Sequence, residues 1–256
     1  MATKTSKKTA KKAAAISMKD VAADYGNGNV VEHVSFNVHT GETFGMMGLN
    51  GVGKTTLIKI MLGLMPASAG ETKIFNTQIL DRKSKEKLAY LPEKFEPPAF
   101  LTGMEFIKFS LSMYKTPFHE LTVLEAAERL ALDPDALFRR VHTYSKGMKQ
   151  KTGLLGTILT DCPLLILDEP MSGLDPLARV LVKDEIVACR EKGMTIFLSS
   201  HILADMDEIC DRVTIVHDGG LQFLGTPKEL KKETKEDYLE RAFLKKIGTV
   251  DKKKAA

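Results

Sequence analysis

Along this chain the spacing of apolar and polar residues separates strands from helices before any motif is considered. Ser17–Tyr25 and Val30–His39 alternate apolar and polar positions, the period-two pattern of paired strands with one face buried. Gly26-Asn-Gly-Asn29 between them is a tight-turn sequence. Glu42–Met47 is short and apolar enough for a buried strand, and Leu57–Leu62 reads as a helix ending near Gly63. Gly70–Phe75 and Lys87–Leu91 read as further strands, after which Pro92-Glu93 stops the second and Pro97-Pro98 forces an extended loop. From Thr102 to about Leu132 the apolar positions, among them Leu121, Leu124, Ala127 and Leu130, recur at helical spacing.

Beyond that helical stretch, Tyr144–Lys151 runs into the apolar Thr152–Leu159, and Ser145 is suited to cap the helix they predict. Pro163–Pro170 is an apolar strand ending in the adjacent acids Asp168 and Glu169, a run suited to the centre of a parallel sheet. A helix follows from about Leu177 to Lys192, with Asp175 and Pro176 as its start signals and Gly193 closing it. Met194–Ser200 is the next strand, with His201 at its carboxyl end. Asp211–His217 and Leu221–Leu224 form a hairpin across Asp218-Gly-Gly220, and helices occupy the chain from about Lys228.

Composition narrows the class. With 256 residues, 43% of them hydrophobic and 27% charged, the chain has enough apolar material for a full core. It contains no run of about eighteen apolar residues, so no bilayer span is expected. The Lys/Ala-rich start lacks the apolar centre of a secretory signal, and residues 1–16 are expected to be a disordered tail. Cys162, Cys189 and Cys210 form no CxxC pair and read as reduced thiols of a cytosolic protein. The formal charge of +4 is unevenly spread: residues 1–15 contribute +5 and residues 250–256 contribute +2, leaving the body at −3. A basic nucleic-acid-binding domain carries its charge in the body, so no nucleic-acid partner is expected.

The chemistry centres on Gly48-Leu-Asn-Gly-Val-Gly-Lys-Thr-Thr56, which fits the P-loop pattern between a predicted strand and a predicted helix. Its glycines let the backbone wrap a phosphate chain, so that the N–H groups of Asn50, Gly51, Val52, Gly53, Lys54, Thr55 and Thr56 and the positive helix end face the negative charge. Lys54 can reach the β- and γ-phosphates, and the Thr55 hydroxyl can ligate Mg²⁺. Asp168, at the carboxyl end of a buried strand after a P-loop, is in the expected place for the second Mg²⁺-holding group. Glu169 next to it is placed to polarise a water attacking the γ-phosphate. Tyr25, at a strand end, suits either stacking on a base or a turn edge. Asp175 suits a helix cap as well as a ligand contact.

At this point the residues resemble a known family, the nucleotide-binding ATPase subunit of ABC transporters, from about Ser17 to at least Leu224. The motifs stand in the family's order: Tyr25 at the adenine-stacking position, the P-loop, Glu93 at the Q-loop, Tyr144–Met148 as the signature, Asp168-Glu169 as Walker B, Ser172–Asp175 as the D-loop and His201 as the switch histidine. Glu93 stands where glutamine is usual, and Lys146 replaces the first signature glycine, while Ser145 and Gly147 are kept. Both spellings resemble the export-type branch.

The resemblance implies an α/β fold: a P-loop NTPase core with a mostly parallel sheet, an N-terminal antiparallel β subdomain and a helical insertion over about residues 98–160. The ATPase domain would span residues 17–232, followed by a C-terminal helix and basic tail over 233–256. It further implies head-to-tail pairing with a second copy or a related ATPase subunit. Each ATP would then lie between one P-loop and the partner's Ser145 and Gly147, with Asp175 at the same boundary. Lys54, Thr55, Asp168 and Mg²⁺ would hold the phosphates, with Glu93 beside the metal, Glu169 as general base and His201 on the γ-phosphate. A separate permease would carry the transmembrane spans, with this subunit on the cytoplasmic face of the cell membrane. The rival expectation is a soluble relative acting on ribosomes or DNA. Such proteins usually carry two ATPase halves or a long coiled coil, whereas this chain has one P-loop and no sustained heptads.

Overall fold

The structure, a computed structural model, describes residues 13–24 and 29–248. In chain order the elements begin with strands β1 (Ala14–Asp24), β2 (Asn29–His39) and β3 (Thr43–Met47), then helix α1 (Lys54–Met61). Strands β4 (Ala69–Ile74) and β5 (Thr77–Gln78), helix α2 (Arg82–Lys85) and strand β6 (Leu88–Leu91) follow. The helical part consists of α3 (Gly103–Met113), α4 (Glu120–Arg129), two short 3₁₀ turns and α5 (Lys146–Ile158). After it come β7 (Leu164–Asp168), α6 (Pro176–Glu191), β8 (Thr195–Ser199), α7 (Leu203–Ile209), β9 (Arg212–His217), β10 (Gly220–Gly225), α8 (Pro227–Thr234) and α9 (Leu239–Lys246).

Two sheets organise these elements. The first is antiparallel, in the order β2-β1-β4-β5. The second runs β10-β9-β3-β8-β7-β6, with every pairing parallel except that of β10 to β9. All residues of β3, β7 and β8 are buried, which explains why these strands lack alternation: helices or the other sheet cover both faces. One apolar core lies between the parallel sheet and the helices around Leu154, Leu165 and Ile186. A second joins the two sheets and α1, and in it the rings of Phe36, Phe44 and Phe197 stack with centroids 5.4–6.5 Å apart.

Three expectations shift in detail. The first strand begins at Ala14, ahead of Ser17 and inside the tail expected over residues 1–16, because Ala15 and Ile16 are fully buried and Ile16 pairs with Val38 of β2 and Ile74 of β4. The helical stretch after Thr102 breaks between α3 and α4, where Lys115 takes φ 58° and Pro117 follows. The boundary expected at residue 232 falls inside α8, whose Thr226–Glu229 capping box starts the helix six residues earlier.

Candidate functional site

The loop after β3 has the shape that its glycines allow. A Cβ at Gly48 would stand 2.7 Å from the Val216 carbonyl oxygen, so the loop packs against β9 only with glycine there. Gly53, at φ 102°, is the N-cap of α1 and supplies no side-chain cap, and the first turn of that helix contains no acid. A helix start of this kind presents backbone N–H groups and the positive dipole end without a competing carboxylate. Lys54 folds back over the loop, donating from Nζ to the Gly48 and Leu49 carbonyls. Its burial lowers its pKa, and the carboxylates of Glu169, Asp168 and Glu93 oppose that shift.

Facing this helix end are the carboxyl ends of β7 and β8. Parallel register sets Asp168 opposite Ser199, and the Ser199 hydroxyl donates to Asp168 Oδ1 while accepting the Glu169 N–H at 3.1 Å. Glu169 holds φ 51°, a left-handed backbone uncommon outside glycine, and its N–H also reaches the Ser199 carbonyl at 3.2 Å. That turn, with 7% of the residue exposed, brings Glu169 Oε2 to 2.7 Å from His201 Nδ1. Since a carboxylate only accepts, the contact calls for the Nδ1–H tautomer of His201.

Asp168 is 5% exposed, and desolvation raises its pKa, aided by Glu93 and Glu169 and opposed by the Ser199 hydrogen bond and Lys54. Tyr90 on β6 is pushed up to about 12 by burial and by the carboxylates of Asp168 and Glu93. The cleft thus gathers three carboxylates around one lysine. That surplus suits a divalent cation arriving with phosphate, and Thr55 and Asp168 supply hard oxygen donors for it. Among the described residues no group of three or more His, Cys, Asp or Glu side chains is built to hold a metal unaided.

Most of the sequence-derived site meets in one cleft of about 390 Å³. Leu49, Asn50, Gly51, Gly53, Lys54, Thr55, Thr56, Glu93, Asp168, Glu169 and His201 all line it. Val52 does not; its side chain packs on the core between the sheets. Ser145, Gly147 and Asp175 also lie outside the cleft. Ser145 is exposed and caps α5 by accepting the Met148 N–H at 3.2 Å. Asp175 is exposed and caps α6 by accepting the Ala178 N–H at 2.9 Å. Lys146 lies across the turn at Gly173, whose φ of 73° and missing Cβ leave room for it. Tyr25 lies outside the described residues.

Four participants escaped sequence reasoning. Ser199 is a polar residue ending an apolar strand, a signal present in the sequence but with no partner to give it meaning. Tyr90 was hidden in a short strand. Leu203 and Phe243 close one side of the cleft from α7 and α9, and nothing local in the sequence of α9 points to it.

Fold and cleft together define a P-loop nucleotide-binding α/β domain with its ligand site at the carboxyl ends of parallel strands. A sequence model of the ABC transporter family matches residues 31–172. An uncharacterised ABC transporter ATP-binding protein of Synechocystis is 41% identical over 200 residues, covering 77% of this chain and 56% of that protein. A fluoroquinolones export ATP-binding protein of Mycobacterium tuberculosis is 37% identical over 211 residues, covering 78% of this chain and 66% of the relative. A solved ATP-binding subunit of an ABC transporter superposes with a TM-score of 0.84 at 31% identity, covering 90% of this chain and 98% of its own. The chain belongs to the ABC transporter family, among its ATP-binding proteins. It spans little more than half the length of the Synechocystis relative.

Proposed function

We propose that this chain binds and hydrolyses ATP with Mg²⁺ and drives a separate membrane permease, in the export direction. The observation that carries the reading is the strained, buried Glu169, held by His201 on one side of a cleft whose other side is the open start of α1. Backbone N–H groups of the loop and Lys54 bind the phosphates, with Lys54 leaving its own carbonyl contacts to do so. Thr55 and Asp168, with Glu93 nearby, would hold Mg²⁺, which when bound neutralises phosphate charge. Glu169 takes the proton of the attacking water, and His201 fixes the carboxylate's direction while facing the γ-phosphate. Catalysis of this kind is mostly positioning and charge neutralisation.

Head-to-tail pairing with a second copy or a related ATPase subunit would bring a partner signature onto this cleft. The exposure of Ser145 and Asp175, with Gly147 half-buried beside them, away from their own cleft supports that arrangement. An open groove of about 570 Å³, floored by Phe106, Phe109, Met113 and Tyr114 and edged by Arg82 and Lys85, supports docking of a permease segment on the helical insertion. Among the described residues no helix is long and apolar enough to cross a membrane, which is in keeping with a peripheral place on the cytoplasmic face. The export direction draws on the Glu93 and Lys146 spellings and on a relative named for fluoroquinolones export.

The test is Glu169→Gln. Turnover should fall by roughly 10²–10⁴-fold, the usual contribution of a general base, while ATP still binds. Near-normal hydrolysis would remove Glu169 from the role. Copurification of a multi-span membrane protein with the wild-type chain checks the permease; recovery with ribosomes or DNA instead would overturn it.

A further inference from the structure

Helix α7 begins two residues after His201, and Leu203, Met206 and Ile209 anchor its inner face in the core. It has seven residues, and Ile202 offers no side-chain cap, so its own helical stability is small. Its carboxylates are also tied to both neighbouring helices. Asp205, one helical turn after His201 and only 3% exposed, accepts from Arg179 Nη2 of α6 at 2.8 Å, with Lys183 Nζ at 3.6 Å. Lys183 also pairs with Glu208. On the opposite side Asp207 is held by Lys231 of α8 at 2.8 Å.

Buried ion pairs are poor sources of net stability, because desolvation offsets the attraction and apolar side chains of similar volume serve as well. What such a pair provides is a defined position. Arg179 lies in the first turn of α6, one turn after the cap Asp175. The Arg179–Asp205 contact therefore ties the start of α6, which Asp175 caps, to the first turn of α7, two residues beyond His201. The tie is single-pronged, since Arg179 Nε is buried without a partner. From His201 the chain of contacts continues directly to Glu169.

We infer that Arg179 and Asp205 are positioning residues for hydrolysis: they set His201 against Glu169 and make that setting depend on the placement of α6. This inference rests on the roles proposed above for Glu169 and His201.

The experiment measures kcat and KM for ATP in the full chain, with Asp205→Asn, Asp207→Asn, His201→Ala and the double variant His201→Ala/Asp205→Asn. Asp205→Asn should lower kcat about tenfold with KM within about twofold, a size typical of coupled neighbours. It should also shift the His201 ring NMR signals, and it should cost nothing further in the His201→Ala background. Asp207→Asn, which loosens the same helix on its other side, should leave kcat within about twofold. Because only one prong of Arg179 is used, Arg179→Lys should keep most of the turnover that Arg179→Gln loses, and this pair carries the test if Asp205→Asn does not fold. An equal loss in Asp207→Asn, or a loss from Asp205→Asn that persists undiminished without His201, would reduce the pair to a structural brace and overturn the inference. If His201→Ala alone leaves kcat unchanged, the reading of His201 falls and this inference with it; a large loss there with additive doubles overturns only the inference.

Discussion

Helices α1 and α5 start in opposite ways. At α1 the N-cap is Gly53, which has no side chain to offer, and the first turn carries no acid. At α5 the exposed Ser145 already accepts a backbone N–H of its own helix. Any helix leaves its first N–H groups without intrahelical partners. The uncapped start of α1 opens on the cleft and is free to meet a ligand, whereas the start of α5 is satisfied by its own serine and meets a ligand only as a second contact. The α1 start is surrounded by Lys54, Asp168, Glu169 and His201 of the same chain. The α5 start faces outward, and under the proposed pairing its phosphate belongs to a neighbour's cleft. Under that pairing the chain carries one nearly complete half of a site and one half that gains meaning only in an assembly.

Substitutions can break this contrast. The largest expected effect is from Lys54→Ala, which removes the cation at the open helix start and should raise the ATP dissociation constant by roughly 10²-fold or more, read by calorimetry. An unchanged constant would mean that α1 is not the phosphate-binding end. Ser145→Ala should act differently. It should leave ATP affinity of the isolated chain unchanged, lower stability by about 1 kcal/mol through the lost cap, and reduce turnover of the assembled form about tenfold. Turnover equal to wild type would leave Ser145 a cap alone.

Asp168→Asn sharpens the same contrast from the charge side. Because the folded-state pKa of Asp168 is raised, its ionisation is a cost to the fold that is absent at low pH, grows as pH rises through that value and is fully present at neutrality. The asparagine variant, without nucleotide, should therefore melt slightly higher than wild type at pH 7, with the gain shrinking in acid, although hydrolysis is lost. A lower melting temperature at pH 7 would show that the carboxylate is instead a net support. The smallest effect is expected from Glu93→Gln: hydrolysis should stay within a few-fold if the carboxylate serves only as an oxygen donor, and a collapse in a steady-state assay would show that its charge is required.

Read without coordinates, the chain already specified the strand–loop–helix cradle, the Asp168-Glu169 strand end, the caps at Ser145 and Asp175, and His201 at the end of a strand. Those features are local: glycine conformations, capping side chains and period-two or helical spacing act within a few residues and leave their mark in the sequence. Ser199 beneath Asp168, Tyr90 beside it, Phe243 at the cleft wall and Arg179 on Asp205 were decided only by the tertiary structure. Ser199 and Asp168 are 31 positions apart and meet because β7 and β8 lie side by side in parallel register. Sheet order and helix docking are settled by burying apolar faces across the whole chain, so a pair brought together that way carries no signature in the residues around either member.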